Sequence, residues 1–145
     1  MALKQSAWAK GIVQTPRPQT HGAVHVALFT FIVDAALASA DVIEIGELPP
    51  FARIVDARVF TEGTFTGITG TVGIVSGEYG YMDDARTSND VIFSGADLTQ
   101  VQRMTNPAGL LLAPTEQARG IGVKVSAAVP AAAGKKIHVQ LMYTQ

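Results

Sequence analysis

Apolar and polar residues alternate with period two along much of this chain, the mark of β-strands that bury one face. The alternation is sharpest near the C-terminal end. In Arg119–Val129 the positions Ile121, Val123, Val125, Ala127 and Val129 are apolar, with Gly122, Lys124 and Ser126 between them. In Lys135–Gln145 the apolar positions are Ile137, Val139, Leu141 and Tyr143, separated by Lys136, His138, Gln140 and Thr144. Placing Val129 opposite Lys135 across Pro130–Gly134 sets Ala127 against Ile137, Val125 against Val139, Val123 against Leu141 and Ile121 against Tyr143. All then share one face, so the spacing predicts a hairpin in that register.

Upstream, Val24–Val33 is apolar on both faces. That predicts a central strand covered from both sides, or a strand at a subunit contact, and makes Phe29 and Phe31 candidate interface residues. Asp41–Gly46 reads as a short strand, followed by a stiff Pro49-Pro50 turn. Arg53–Thr61 places Val55, Ala57 and Val59 on one face and Asp56 and Arg58 on the other. Ile68–Ser76 alternates again, its Gly70 and Gly73 marking a bulge or a close backbone approach. Gly77–Asn89 is a polar loop. Val91–Ser94 and Leu110–Ala113 read as short strands, with one or two helical turns over Ala96–Arg103. About eight strands and little helix predict an all-β, antiparallel two-sheet β-sandwich, jelly-roll-like, over residues 23–145. A closed up-and-down barrel is the alternative. No internal repeat or linker divides the domain.

Met1–Gly22 has a different character. It holds Lys4, Lys10 and Arg17 and no acidic residue, and Pro16 and Pro18 impose extended backbone. A helix over Ala2–Lys10 would lack an apolar stripe. The segment reads as an extended N-terminal arm, residues 1–22, that docks on a neighbouring subunit. Trp8 is its anchor, and Lys10, Pro16, Arg17 and Pro18 extend the contact. A frayed terminus is the competing reading.

Composition narrows the function classes. There is no cysteine, which removes disulfides and thiolate metal sites. The net charge is −1 and only 16% of residues are charged, against about 25% on average, so a nucleic-acid partner is not expected. With 48% hydrophobic residues, part of the surface is expected to be covered by other chains. The longest apolar run, Ala23–Ala40, is broken by His25, Thr30, Asp34 and Ser39, which argues against a membrane span. The N-terminus lacks a signal-peptide layout, so synthesis and folding in the cytoplasm are expected.

Candidate chemistry is sparse. His21 and His25 are four apart but lie in strand-like sequence without a third ligand nearby. Asp83, Asp84 and Asp90 share a loop without the regular calcium-loop spacing. Gly63, Gly67, Gly70 and Gly73 lack the order of a phosphate loop, and Ser76 is not in a nucleophile elbow. No catalytic residue, metal or cofactor is expected, and the chain reads as a non-enzyme. Tyr79 and Tyr81, with Arg86 close by, could stack on a sugar; packing against the domain or a neighbour is the plainer reading.

Three stretches carry a resemblance. They are the run Asp41-Val-Ile-Glu-Ile-Gly-Glu-Leu-Pro-Pro-Phe-Ala-Arg-Ile-Val-Asp-Ala, the Gly73-Ile-Val-Ser-Gly motif, and the closing Arg119–Tyr143 with its Ala/Gly-rich turn. Together they resemble small virion proteins of tailed bacteriophages encoded among head genes, over Asp41–Gln145, with a looser middle from Tyr79 to Gln117. Pro50-Phe51 departs from the group, where a small residue is usual. The resemblance implies a capsid decoration, or cement, protein on the outside of the head. Its partners would be the major capsid protein and further copies of itself, as a dimer or trimer. A carbohydrate-binding module, or another virion accessory protein of a head fibre or tail, is the alternative.

Overall fold

The computed structural model describes residues 1–15 and 22–145. Two sheets face each other across one core. Nine strands occur among the described residues: β1 (Leu3–Gln5), β2 (His25–Ile32), β3 (Val42–Leu48), β4 (Arg53–Glu62), β5 (Thr69–Ile74), β6 (Phe93–Asp97), β7 (Gln102–Arg103), β8 (Arg119–Val125) and β9 (Lys136–Thr144). One sheet has the order β1-β3-β8-β5-β6 and the other β2-β9-β4-β7. Every pairing is antiparallel except that of β1 with β3. The architecture is the expected β-sandwich.

The C-terminal strands lie where the alternation placed them, but they do not form the predicted hairpin. β8 is central in the first sheet, between β3 and β5, while β9 is central in the second, between β2 and β4. The segment from Ser126 to Lys135 carries the chain across the core. It is held there by a bridge between Leu37 and Val129 and by the Ala132 amide donating to the Val33 carbonyl at 3.0 Å. The reason for the misassignment is simple. Two apolar rows can meet side by side in one sheet or face to face from opposite sheets, and alternation alone is the same in both cases. Ile121, Val123, Ile137, Val139, Leu141 and Tyr143 are all fully buried in the shared core.

Other local expectations shift for identifiable reasons. In β4 the register slips between Ile54 and Asp56, so Ile54, Ala57 and Val59 face inward while Val55 is exposed and Asp56 buried. An extra residue of this kind reverses the alternation on one side of it. A similar slip between Gly70 and Val72 bears out the bulge expected from the β5 glycines. The helical turn is at Pro107–Leu110 (α1), capped by the Asn106 side chain accepting from the Ala108 amide, and not at Ala96–Arg103. Proline at the first helical position and an asparagine cap explain that placement. It also consumes Leu110, the first residue of the strand expected at Leu110–Ala113. Residues Leu3–Gln5, within the segment read as an arm, form β1 in place of a helix.

β2 and β3 meet across the core. The Phe29 ring lies flat against Gly46, and a Cβ built at Gly46 falls within the ring's van der Waals envelope. Phe29 is itself fully buried with the Trp8 ring edge-on to it, so it has nowhere to move. Gly46→Ala is therefore expected to destabilise the fold by about 1–3 kcal/mol. Gly134→Ala, whose Cβ meets nothing within 4 Å, should change stability by less than about 0.5 kcal/mol. Urea unfolding of both variants checks the contrast.

Candidate interaction surfaces

All seven residues of β3 are buried, including two carboxylates. Alternation sends Ile43 and Ile45 into the core and Glu44 to the opposite face. There Glu44 is covered by the N-terminal segment and the 77–89 loop. A buried carboxylate needs compensating donors, and Glu44 has four. Arg86 Nη2 donates to Oε1 at 2.6 Å and Nη1 to Oε2 at 3.2 Å. Gln5 Nε2 donates to Oε2 at 2.9 Å and the Gly80 amide at 3.2 Å. Arg86 uses two further donors on the Ser76 and Tyr81 carbonyls, both at 2.6 Å. Gly120 on the neighbouring strand leaves the space for Glu44, because a Cβ there would collide with Oε1.

This network clips the N-terminal segment to the sandwich. β1 runs parallel to β3, with Leu3 opposite Val42 and Gln5 opposite Glu44. The Leu3 amide donates to Asp84 Oδ1 at 3.0 Å, and Ser6 Oγ donates to the Ile45 carbonyl. Tyr79 Oη donates to the Trp8 carbonyl at 2.7 Å. The Trp8 and Phe29 rings meet edge to face, with centroids 5.2 Å apart. Such an aromatic pair adds about 0.5–1.5 kcal/mol beyond area burial.

The interface candidates read from the sequence separate into groups. Trp8, Phe29 and Tyr79 come together, but in contact with one another on their own domain. Phe31 is buried and lines a groove between β1 and the end of β2, as does Lys10, which is exposed. Tyr81 is 64% exposed beside exposed Met82. Pro16, Arg17 and Pro18 lie outside the described residues, as does His21. The three loop carboxylates have separate tasks: Asp83 accepts from the Ala85 amide, Asp84 from Leu3 and Asp90 from Ser94 Oγ. Glu44 was missed as a functional residue. Its signal was a carboxylate flanked by isoleucines within an apolar strand.

A second surface is the outer side of β2. Among the described residues β2 is an edge strand with β9 as its one neighbour. Its inward residues Ala27, Phe29 and Phe31 are buried, while Val24, Val26, Leu28 and Ile32 are 54%, 48%, 44% and 49% exposed. The both-faces-apolar pattern thus marks a strand that is uncovered on its outer side among the described residues, instead of a central one. The backbone follows the same parity. The Val33 amide bonds to Lys135 O at 3.0 Å, so odd residues pair with β9 and the amides and carbonyls of Val26, Leu28 and Thr30 point off the edge, while the Ile32 carbonyl accepts from the Asp34 amide at 2.9 Å. Next to this strip the outer face turns polar. His138 stacks on Phe60 with centroids 4.8 Å apart and contacts Thr30 Oγ1 and Glu62 Oε1 at 2.9 and 3.0 Å. The Lys136 hydrogen bond is the main cause that holds the Glu62 carboxyl below its usual range, with His138 contributing less.

Breaking the clip should be costly in a specific way. Arg86→Ala leaves Glu44 charged, buried and short of two donors, and is expected to cost about 3–5 kcal/mol. The double variant Glu44→Leu/Arg86→Met removes both charges and should lose less than Arg86→Ala alone. Denaturant unfolding of the two, analysed as a cycle with the single variants, checks this. Equal losses would show that the pair does not act as a unit.

No family model and no curated protein matches this chain. Solved structures do. A chain in the capsid of Ralstonia phage GP4 superposes with a TM-score of 0.91 at 36% identity, covering 99% of this chain and 98% of that one. A chain of the cyanophage Pam1 capsid asymmetric unit matches with TM-score 0.58 and 20% identity, covering 91% of each chain. One from the acidic stable capsid of Helicobacter pylori bacteriophage KHP30 matches with TM-score 0.57 and 12% identity, covering 87% of this chain and 90% of that one. The last two show a shared fold. The first shares more than a third of its residues over nearly its whole length, and on that ground this chain belongs to the family of phage capsid proteins represented in the Ralstonia phage GP4 capsid.

Proposed function

We propose that this protein is a decoration, or cement, protein that binds the outside of a phage head and holds neighbouring major capsid subunits together, without catalysing a reaction. The observation that carries this reading is β2. Among the described residues it is an eight-residue edge strand with no proline, lysine, arginine or carboxylate, and its outward face is valine, leucine, threonine and isoleucine. Soluble monomers blunt such edges with charge, proline or a bulge. A strand left unprotected in this way fits a chain that completes its surface against other chains. Contacts of modest strength suffice, because repetition over a symmetric shell multiplies them. The net charge of −1 suits an outer surface better than one packed against nucleic acid.

In this reading the β2 strip meets either a major capsid subunit or a second copy within a dimer or trimer. The groove lined by Ile12, Phe31, Ile32 and Met82 extends it toward β1. The alternative of a sugar-binding loop has less to work with, since Tyr79 and Arg86 are both turned inward onto the clip.

Val26→Lys/Leu28→Lys is expected to leave the isolated fold nearly unchanged, since both side chains are already about half exposed. Re-addition to particles lacking the protein should then show occupancy falling at least about tenfold, equivalent to about 1.4 kcal/mol. Electron microscopy of the particles reads both the occupancy and the side of the shell that is decorated. Unchanged occupancy would remove β2 as the contact, and density on the inner side would overturn the decoration reading.

A further inference from the structure

Arg119 opens β8 opposite Leu48 and lines a cavity of about 840 Å³. Gly77, Glu78 and Tyr79 form one wall, and Thr115 and Glu116 belong to the other. Two of the three guanidinium nitrogens, Nε and Nη2, are cut off from solvent and have no hydrogen-bond partner. Burial alone pushes the group's pKa down, yet a guanidinium stays charged throughout the working range. Two donors of a cation shut off from water and left unused are unfavourable in the isolated chain. Turning the fork toward the cavity it lines would break no hydrogen bond.

The cavity walls are already fixed. Tyr79 is tied to Trp8 through its hydroxyl, and the Thr115 carbonyl accepts from the Phe51 amide at 2.8 Å. Gly77 lies beside the Arg86 side chain of the clip. Two exposed carboxylates, Glu78 and Glu116, stand on the walls around Arg119. That distribution repels a free polyanion or a nucleic-acid backbone. It suits a ligand that carries one anionic group for Arg119 with positive charge on either side.

We propose that this cavity is a socket for a carboxylate side chain presented on a basic segment of another protein chain, gripped by the Arg119 fork and flanked by Glu78 and Glu116. Arg–carboxylate pairs of this kind are bidentate and geometrically selective. That the carrier is a neighbouring chain in the shell rests on the decoration reading. The carboxylate chemistry rests on Arg119.

The test uses the isolated full chain, labelled so that the Arg119 Nε–H resonance is followed by NMR, and therefore stands or falls without particles. The probes are capped Lys-Glu-Lys and Lys-Gln-Lys peptides and sodium acetate. Lys-Glu-Lys is expected to shift the Arg119 resonance saturably, at least about tenfold more tightly than acetate. Lys-Gln-Lys should leave it unmoved, and peptide binding should be lost in Arg119→Gln. Acetate binding as tightly as Lys-Glu-Lys would overturn the peptide carrier, and no shift with any probe would overturn the site. Arg119→Met supplies an independent check. With the unpaired cation removed, Tm should rise by about 2 °C or more, whereas a fall would mean that Arg119 serves the fold of its own chain, and the proposal would fail.

Discussion

The Glu44 carboxylate is the constraint around which the outer layer of this protein is arranged. It sits in a strand whose neighbours Ile43 and Ile45 belong to the core, on the face away from that core, and the chain cannot leave it there unpaired. Its requirement for donors calls in Arg86 from a loop 42 residues away and Gln5 from the N-terminal strand. Arg86 in turn shapes the Gly77–Asn89 loop by binding the Ser76 and Tyr81 carbonyls. Tyr79 then reaches Trp8, and Trp8 reaches Phe29 in the opposite sheet. A polar contact on the outside of one sheet is thereby linked to the packing between the two.

What could be read from the sequence was the location of strands; what could not was their partners. Alternation in β8 and β9 correctly marked which residues point inward, because that depends only on chain direction and the pleat. Pairing depends on where the intervening segment goes. Pro130–Gly134 reads equally well as a tight turn or as a crossing between sheets. In β4 the bulge at Val55 defeated the face assignment at Val55 and Asp56 but not at Ala57 and Val59, since a one-residue slip carries no composition signal when the slipped residue is itself a valine. The placement of β1 was hidden for another reason. Three residues are too short for periodicity, and the strand is defined by the edge it meets and by the Gln5–Glu44 bond.

The candidate surfaces were partly visible for the same physical reasons. A strand apolar on both faces calls for cover on both, and β2 is covered once among the described residues of its own chain. Its unusual composition was legible, while its position at the edge depended on topology. Trp8 and Tyr79 stood out correctly as residues with contacts to make, but an aromatic in a polar segment does not reveal whose surface it will meet. Arg119 gave no sequence signal. Its unused donors are a property of the cavity and the surrounding loops.

The central position of β9 has a consequence for the order in which the molecule can be built. β2 and β4 belong to one sheet, yet they join only through β9, which begins 74 positions after Glu62. During synthesis both strands must leave the ribosome and wait with their hydrogen-bonding edges open, until the strand that unites them has been made. The interval exposes the apolar β2 to any other chain nearby. Until β9 arrives, β2 therefore has two open edges, where among the described residues of the folded chain it keeps one.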